Sequence, residues 1–267
     1  MIMAQWTDFY RQMVDRNIGV LSGEEQERLH SSCIAVTGCG GMGGLSAEQL
    51  VRLGVGHVKI ADFDNFETHN LSRQHGSTSA NIGERKAKVL GRYFKEINPE
   101  VNLEIFDEGI KPQNAGKFLD NAAIVIDGMD YSNLRNTIAL YRAAREKKLC
   151  VVNPNAIGFG VNVFVFGPNT VSLEQYLDLS LKTLFAPQEA LKKLMPYMPS
   201  YADPEVVKKA ALGKINIPNI VMPQHLGTAI AVSEAVMILL GRVSAPQGPN
   251  PRITVLDLQD REFRVTG

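Results

Sequence analysis

The sequence predicts an α/β protein with a Rossmann-like, mostly parallel sheet that carries helices on both faces. Between Cys33 and Val152, short apolar runs alternate with helical stretches, which is the pattern of parallel strands joined by helices. The first apolar run ends in a glycine-rich loop that opens a helix. After Val152 the pattern changes to alternating strands, which predicts a C-terminal antiparallel extension.

The first half contains N-terminal helices followed by regular strand–helix units. Residues 4–30 are polar and helical in pattern, and a second helix starts at Ser22, an N-cap residue followed by two acids. Predicted strands are Cys33–Thr37, His57–Ala61, Val101–Phe106, Ala122–Asp127 and Leu149–Val152, the last ending at Asn153-Pro154. Predicted helices are Leu45–Leu53, Asn81–Asn98 and Asn133–Lys147.

The second half is less regular. Val161–Phe166 alternates like an antiparallel strand, Leu226–Gly241 is a strong helix, and Ile253–Leu258 with Glu262–Val265 predicts a hairpin. Residues 170–222 are weakly periodic, with short candidate helices at Leu173–Leu181, Gln188–Met195 and Pro204–Leu212. A segment of this length between sheet elements indicates a crossover or lid over the site.

Length and composition predict one domain over residues 1–267. Its predicted parts are a helical arm (1–32), a nucleotide-binding core (33–168), a crossover or lid segment (169–224) and a C-terminal helix with hairpin (225–267). Lys plus Arg and Asp plus Glu are equal at 28 each, which argues against nucleic acid or an anionic membrane as partner. The apolar stretch Leu226–Leu240 is too short to span a bilayer, and Met1–Asp15 has no signal-peptide pattern.

Three cysteines, Cys33, Cys39 and Cys150, form no C-x-x-C pair, so no thiolate zinc site is expected. Their place in or beside predicted buried strands indicates free thiols in a reducing cytoplasm.

The glycine-rich loop predicts a nucleotide site. Gly38, Gly40 and Gly43 fit G-x-G-x-x-G between a strand and a helix, where the helix start offers unpaired N–H groups to a phosphate. Asp62 ends the next strand about 20 residues on, where an acid can bind a ribose hydroxyl. A glycine turn that only packs a helix on a strand is the alternative.

The residues that follow favour a triphosphate over a dinucleotide. Asn70, Arg73 and Lys86 supply an amide and two cations, and Asp130 follows a strand at the edge where open sheets bind ligands. Cations offset phosphate charge and a carboxylate can hold Mg²⁺. An NAD(P)-dependent oxidoreductase and a non-catalytic dimeric scaffold are the competing hypotheses.

In combination, these motifs resemble the ThiF/MoeB/HesA superfamily, whose members adenylate carboxylates with ATP and share their fold with ubiquitin-activating enzymes. The matching segments are Gly38–Gly43, Asp62-Phe63-Asp64, Asn70-Leu71-Ser72-Arg73-Gln74, Gly83 with Lys86, Ile97-Asn98-Pro99, and Asp127 with Asp130.

The resemblance implies a role for each matched position. Gly40, Gly41 and Gly43 would let the backbone approach the phosphates, and Asp62, with Asp64 beside it, would bind the nucleotide. Asn70, Arg73 and Lys86 would contact the phosphates, with Gln74 at the same site. Asp130 would hold Mg²⁺ while Asp127 orders the loop, and the reversed assignment is open. The resemblance also implies a homodimer in which Arg16, or Arg11 as the fallback, reaches the partner's ATP.

Two departures from the resemblance bear on the acceptor. The paired zinc cysteines of many relatives are absent, and no cysteine follows Cys150, so segment 170–222 lacks the thioester cysteine of the ubiquitin-activating branch. The product would then stay an acyl-adenylate or pass to an external nucleophile. The implied substrate is the C-terminal glycine of a small ubiquitin-like or sulfur-carrier protein, or a peptide; a tRNA-linked carboxylate is the least favoured.

Overall fold

A single eight-stranded sheet organises the chain. The computed structural model describes residues 6–130, 134–179, 193–211 and 214–267. The strand order is β3-β2-β1-β4-β5-β6-β7-β8. Strands β3 to β5 in this order are parallel, and β6, β7 and β8 continue the sheet in antiparallel fashion. The predicted fold class, a mostly parallel Rossmann-like sheet with an antiparallel extension, is therefore confirmed.

The strands are β1 Cys33–Thr37, β2 His57–Ala61, β3 Asn102–Phe106, β4 Ile124–Asp127, β5 Val151–Ile157, β6 Gly160–Phe166, β7 Arg252–Asp257 and β8 Glu262–Thr266. The helices are α1 Asp8–Met13, α2 Gly23–His30, α3 Gly41–Arg52, α4 Lys86–Ile97, α5 Ala115–Phe118, α6 Leu134–Glu146, α7 Leu173–Leu177, α8 Pro204–Ala211 and α9 Val221–Leu240. Short 3-10 turns lie at Asp15–Asn17, Thr68–Asn70 and Ser79–Asn81.

Each face of the sheet has its own apolar core. Residues Ile34, Val36 and Ile60 point to one face and pack beneath α3, α4 and α9. Ala35 and Val125 point to the other face, beneath α5, α6 and α7. Successive strand residues alternate between faces, so a parallel strand covered on both sides is apolar throughout. This explains why β1 is buried at every position.

The helix α9 is a core element. It covers 20 residues, so it has the length and apolar composition of a membrane span that the shorter sequence stretch lacked. Half of the most apolar stretch of α9 is buried inside the protein, and the helix packs against α3, β5 and β6. Ala231 and Ala235, both fully buried, let the helix approach the sheet closely.

Three helix starts differ from the prediction, and the first of these is that of α9, at Val221 rather than Leu226. Helix α3 begins at Gly41 rather than Leu45, because the glycines themselves form its first turn. Helix α4 begins at Lys86 rather than Asn81, because Gly83 adopts φ +90° and interrupts the helical backbone.

The predicted end of β5 at Asn153-Pro154 is wrong. The strand continues to Ile157, and Pro154 pairs with Val163 of β6. On its other side β5 is paired with β4 only through Val151 and Val152, so Pro154 lies where no second neighbour needs its missing N–H. The predicted ends at 4–5, 133, 180–181, 188–192 and 212 lie outside the described residues.

Candidate active site

The candidate site lies at the carboxyl edge of the parallel strands, between β1 and β4. The chain leaves β1 towards β2 on one side, and leaves β4 towards β5 on the other, so this is the switch point at which open sheets bind ligands. The two loops touch: a Cβ built on Gly38 would lie 2.4 Å from the carbonyl oxygen of Gly128. The loop that carries Asp130 is thereby held against the glycine loop.

Packing within the protein, rather than a ligand, demands glycine at most positions of the loop. A Cβ on Gly43 would lie 1.8 Å from the Gly38 carbonyl oxygen, and one on Gly41 would lie 2.3 Å from Gln224 Oε1. At Gly40 the nearest atom, Gln74 Nε2, would be 3.5 Å away, which is an ordinary contact. The side-chain directions of Gly41 and Gly43 are filled by the protein itself, and their implied role in the approach of the phosphates to the backbone stays a prediction.

The first turn of α3 fits an anionic group. Gly40 is its N-cap and offers no side-chain acceptor, so the first N–H groups of the helix lack the partner that a capping residue supplies. These groups form the positive end of the helix dipole. A phosphate at this position would satisfy them, which is the geometry of known phosphate sites.

Asp62 ties the end of β2 to the glycine loop. Its Oδ2 accepts the Cys39 N–H at 2.5 Å and its Oδ1 accepts the Asp64 N–H at 2.7 Å. Burial raises the pKa of Asp62, and these two N–H donors act in the opposite direction by stabilising the carboxylate. The acid is thus fixed in position before any ribose hydroxyl arrives.

Lys86 is a buried cation at the start of α4. Its side chain is 7% exposed, and its Nζ lies 3.1 Å from Oδ2 of the half-exposed Asp64. The Lys86 N–H also donates to the Asp64 carbonyl oxygen at 3.0 Å. The pair brings two sequence motifs into contact, and the exposed carboxylate marks the side from which a ligand can reach the ammonium.

Asn70 orders the loop that carries Arg73 and Gln74. Its side-chain Oδ1 accepts the Glu67 N–H at 2.9 Å, and its carbonyl oxygen accepts the N–H groups of Arg73 and Gln74. Arg73 Nη1 donates to the His69 carbonyl oxygen at 3.0 Å. In this structure Asn70 therefore acts as a positioning residue for its neighbours, one of which lies under Gly40.

Asp127 and Asp130 differ in environment. Asp127 is fully buried, and its Oδ1 accepts from the Thr37 hydroxyl at 2.7 Å and from the Met129 N–H at 3.1 Å. Burial raises the pKa of Asp127 to about 6. Asp130 is exposed. Asp127 thus orders the loop through its hydrogen bonds, and the role of the exposed Asp130 as a ligand of Mg²⁺ stays a prediction.

Arg16 lies far from the site of its own chain. The neighbouring Asn17 donates to the Leu53 carbonyl oxygen, and Tyr10 donates to that of Gly54, so the arm packs behind the C-terminal end of α3. A helix of this length separates its two ends by about 18 Å. Arg16 is exposed, whereas Arg11 is bound to Asp8 at 2.7 Å and to the Trp6 carbonyl oxygen.

Sequence reasoning missed Gln224, which fills the space beside Gly41 from the first turn of α9. Gln224 is far from the glycine loop in the sequence, so no local pattern could have indicated that the two are in contact. All three cysteines are buried free thiols, and burial raises the pKa of each. Among the described residues, no group of three or more His, Cys, Asp and Glu side chains is placed to hold a metal.

The fold and this edge define a Rossmann-like α/β protein with a glycine-rich turn at the switch point. Comparison with known proteins makes this more specific. The profile of the ThiF family matches residues 14–264, which is most of the chain. The protein belongs to the ThiF family, so the resemblance drawn from the motifs is confirmed.

Curated relatives match about half of the chain or somewhat more. The tRNA threonylcarbamoyladenosine dehydratase of Haemophilus influenzae is 33% identical over 49% of this chain and 50% of its own. The molybdopterin-synthase adenylyltransferase of the same organism is 30% identical over 58% of this chain and 63% of its own. The chain thus spans about half to two thirds of the length of these relatives.

A solved structure covers more of the fold. The Escherichia coli tRNA N6-threonylcarbamoyladenosine dehydratase, solved in complex with ATP, superposes with a TM-score of 0.63 at 21% identity. The match covers 91% of this chain and 98% of that one. At this identity the likeness concerns the fold.

Proposed function

We propose that the protein is an ATP-dependent adenylyltransferase that activates a carboxylate as its acyl-adenylate. The observation that supports this best is the contact between the loops after β1 and β4, which gathers an uncapped helix start and an exposed acid at one edge. Lys86, buried and paired with Asp64, adds a cation. Family membership and the naming of relatives as adenylyltransferases point in the same direction.

ATP would lie with its phosphates on the first turn of α3 and its ribose at Asp62. Lys86 and Arg73 would offset phosphate charge, and Asp130 would hold Mg²⁺, which supplies further charge neutralisation when bound. In the reaction, a carboxylate oxygen forms a bond to the α-phosphorus, and the bond from that phosphorus to the bridging oxygen breaks to release pyrophosphate. The carboxylate is already ionised at pH 7, so positioning and charge stabilisation carry the rate.

The acceptor would be the C-terminal glycine of a small ubiquitin-like or sulfur-carrier protein, or a peptide. The buried cysteines support a reaction that ends at the adenylate in this chain, because a thiol with a raised pKa is a poor nucleophile. An external nucleophile or a second enzyme would then consume the adenylate.

The test is ATP–pyrophosphate exchange on addition of carrier proteins ending in Gly-Gly or of candidate peptides. Asp130→Ala and Arg73→Ala should each lose exchange by about 100-fold or more, the size expected for charge stabilisation in the transition state. Exchange that survives both changes would reject the site. Binding of NAD(P) without binding of ATP would favour an oxidoreductase instead.

We further propose that the active unit is a homodimer in which Arg16 completes the partner's site. The support is its exposed position at the opposite end of α3 from the glycine loop. Mixing inactive Arg16→Ala and Asp130→Ala chains should restore roughly a quarter of wild-type exchange, because half of the dimers are mixed and each holds one intact site. The matched control is Arg11→Ala, because Arg11 forms an ion pair with Asp8 of its own chain. This variant should keep full exchange. Failure of the mixture to recover would contradict the trans role.

A further inference from the structure

A row of asparagines crosses the sheet next to the candidate site. Asn153 and Asn155 lie on β5 and Asn162 lies on β6, where it pairs in register with Asn155. Residues two apart on a strand share a face, so Asn162 shares its face with Phe164, in the core beneath α6 and α7. All three amides therefore lie on one face of the sheet.

Two members of this row are connected to the active-site loop. Asn155 Nδ2 donates to Asn153 Oδ1 at 2.7 Å, and Asn153 Nδ2 donates to the Asp127 carbonyl oxygen at 2.8 Å. Asp127 precedes Asp130 by one short loop. Hydrogen bonds thus join the two asparagines of β5 to the start of the loop that carries the predicted metal ligand.

Asn162 is the member of the row whose side chain makes no hydrogen bond with the described residues. The residue is 0% exposed, yet within the described ranges neither its Nδ2 nor its Oδ1 has a hydrogen-bond partner. A buried amide without partners has lost its hydration and gained nothing in return, so it destabilises the folded chain. Such a group in a native protein calls for a partner that the described residues do not supply.

Tyr201, which precedes α8, contacts the turn between β5 and β6 and the end of β7. The Tyr201 hydroxyl donates to Asp257 Oδ2 at 2.8 Å and accepts the Phe159 N–H. Phe159 lies in the turn that joins β5 to β6, and Asp257 pairs with Gly160 in register. The contact of Tyr201 with Asp257 thus lies opposite Gly160, two residues before Asn162 on β6.

We infer that Asn162 hydrogen-bonds a backbone peptide group of the substrate, with Asn155 beside it, and so selects an extended C-terminal peptide segment over a small acid. A side-chain amide offers one donor direction and one acceptor in a plane, which matches the N–H and C=O of a peptide strand. The inference rests on the proposed adenylation, because it names the substrate class of that same site.

Strand spacing sets the register of the substrate. Because β5 lies between β4 and β6, the distance from β4 to β6 is twice the spacing of neighbouring strands, or about 10 Å. An extended chain advances about 3.3 Å per residue. With the carboxylate at the Asp130 loop, Asn162 would meet a peptide group about three residues before the terminus. Substrates shorter than about four residues lose this contact.

The experiment compares wild-type protein with Asn162→Leu in ATP–pyrophosphate exchange, using carrier proteins ending in Gly-Gly and their C-terminal peptides of two to eight residues. Leucine has nearly the shape of asparagine and removes the unpaired buried amide, so the melting temperature should stay equal or rise. The KM for long peptides should rise by about tenfold, the value of one hydrogen bond, with kcat and the KM for ATP unchanged. Asn102→Leu, on the exposed first position of β3, is the matched control and should change neither KM.

A peptide with an ester in place of its third amide link from the terminus sharpens the test. The ester lacks the N–H donor, so it should bind more weakly than the amide to wild type, but equally to Asn162→Leu. An unchanged KM in Asn162→Leu, or dipeptides as good as octapeptides, would overturn the inference while wild-type exchange still supports adenylation. If no carboxylate probe supports exchange by wild type, the proposed function fails and the inference fails with it.

Discussion

The two halves of the sheet differ in how the polar side chains near the candidate site are held. At the parallel half, Asp62, Lys86 and Asp127 Oδ1 each have a partner, and the loops touch through glycines. At the antiparallel half, Asn162 is buried with both amide atoms unpaired among the described residues. Side chains that are already held in place suit a nucleotide of constant shape. An amide without a hydrogen-bond partner suits the peptide segment proposed above as substrate. The comparison teaches that this chain fixes its charged groups at the end that we call rigid and leaves a buried amide unpaired, among the described residues, at the other.

The largest expected effect is at the rigid end. Gly43→Ala places a methyl group 1.8 Å from the Gly38 carbonyl oxygen, which helix and strand can avoid only by moving apart. We expect a loss of about 3 kcal/mol or more in the free energy of unfolding, measured by denaturant titration, and loss of ATP binding. Gly116→Ala, where nothing lies within 4 Å of the new methyl group, should change stability by less than about 1 kcal/mol. Similar results for the two variants would contradict the close packing described for the rigid end.

Asp127 provides a test by pH. Burial raises its pKa to about 6 from the ordinary 3.8, so the folded state holds a proton that the unfolded state has released between these values. The contribution of this carboxyl group to the free energy of unfolding is fully present below about pH 4 and is lost as the pH rises through 6. The change is at most about 3 kcal/mol. Asp127→Asn, followed by denaturant unfolding between pH 4 and 7, should remove this fall relative to wild type.

The control for Asp127 is Asp120, an exposed acid whose pKa the Lys147 ammonium lowers. Asp120→Asn should shift the pH dependence in the opposite direction and only weakly. A parallel pH dependence in wild type and Asp127→Asn would show that the carboxyl is not held in its neutral form.

Lys86 tests the nucleotide contact itself. Lys86→Met keeps the length of the buried side chain and removes its charge, so ATP should bind about 10- to 100-fold more weakly by calorimetric titration, as expected for one charged hydrogen bond. Lys88→Met, two residues on in the same helix and paired with Asp107, should leave ATP affinity unchanged. If Lys86→Met and Lys88→Met bound ATP with equal affinity, the phosphates of ATP would not contact Lys86.

Most of the fold could be predicted from the sequence because its signals are local. A five-residue run such as Cys33–Thr37, preceded by two serines and followed by the glycine-rich loop, is typical of a buried strand. The end of β5 could not be predicted, because Pro154 is tolerated only through the absence of a neighbour on one side. The start of α4 was misplaced because a 3-10 turn and Gly83 precede it.

By itself, the sequence determined the order of strands and helices, the glycine turn and the motif residues that identify the family. These depend on hydrophobic periodicity, turn chemistry and spacing, which are properties of neighbouring residues. Tertiary structure alone decided that Gln224 fills the space beside Gly41, that Arg16 lies at the far end of α3, and that Asn155 meets Asn162. Such contacts depend on strand register and helix packing between distant segments, and no local pattern encodes which amide is left unpaired once the sheet has formed.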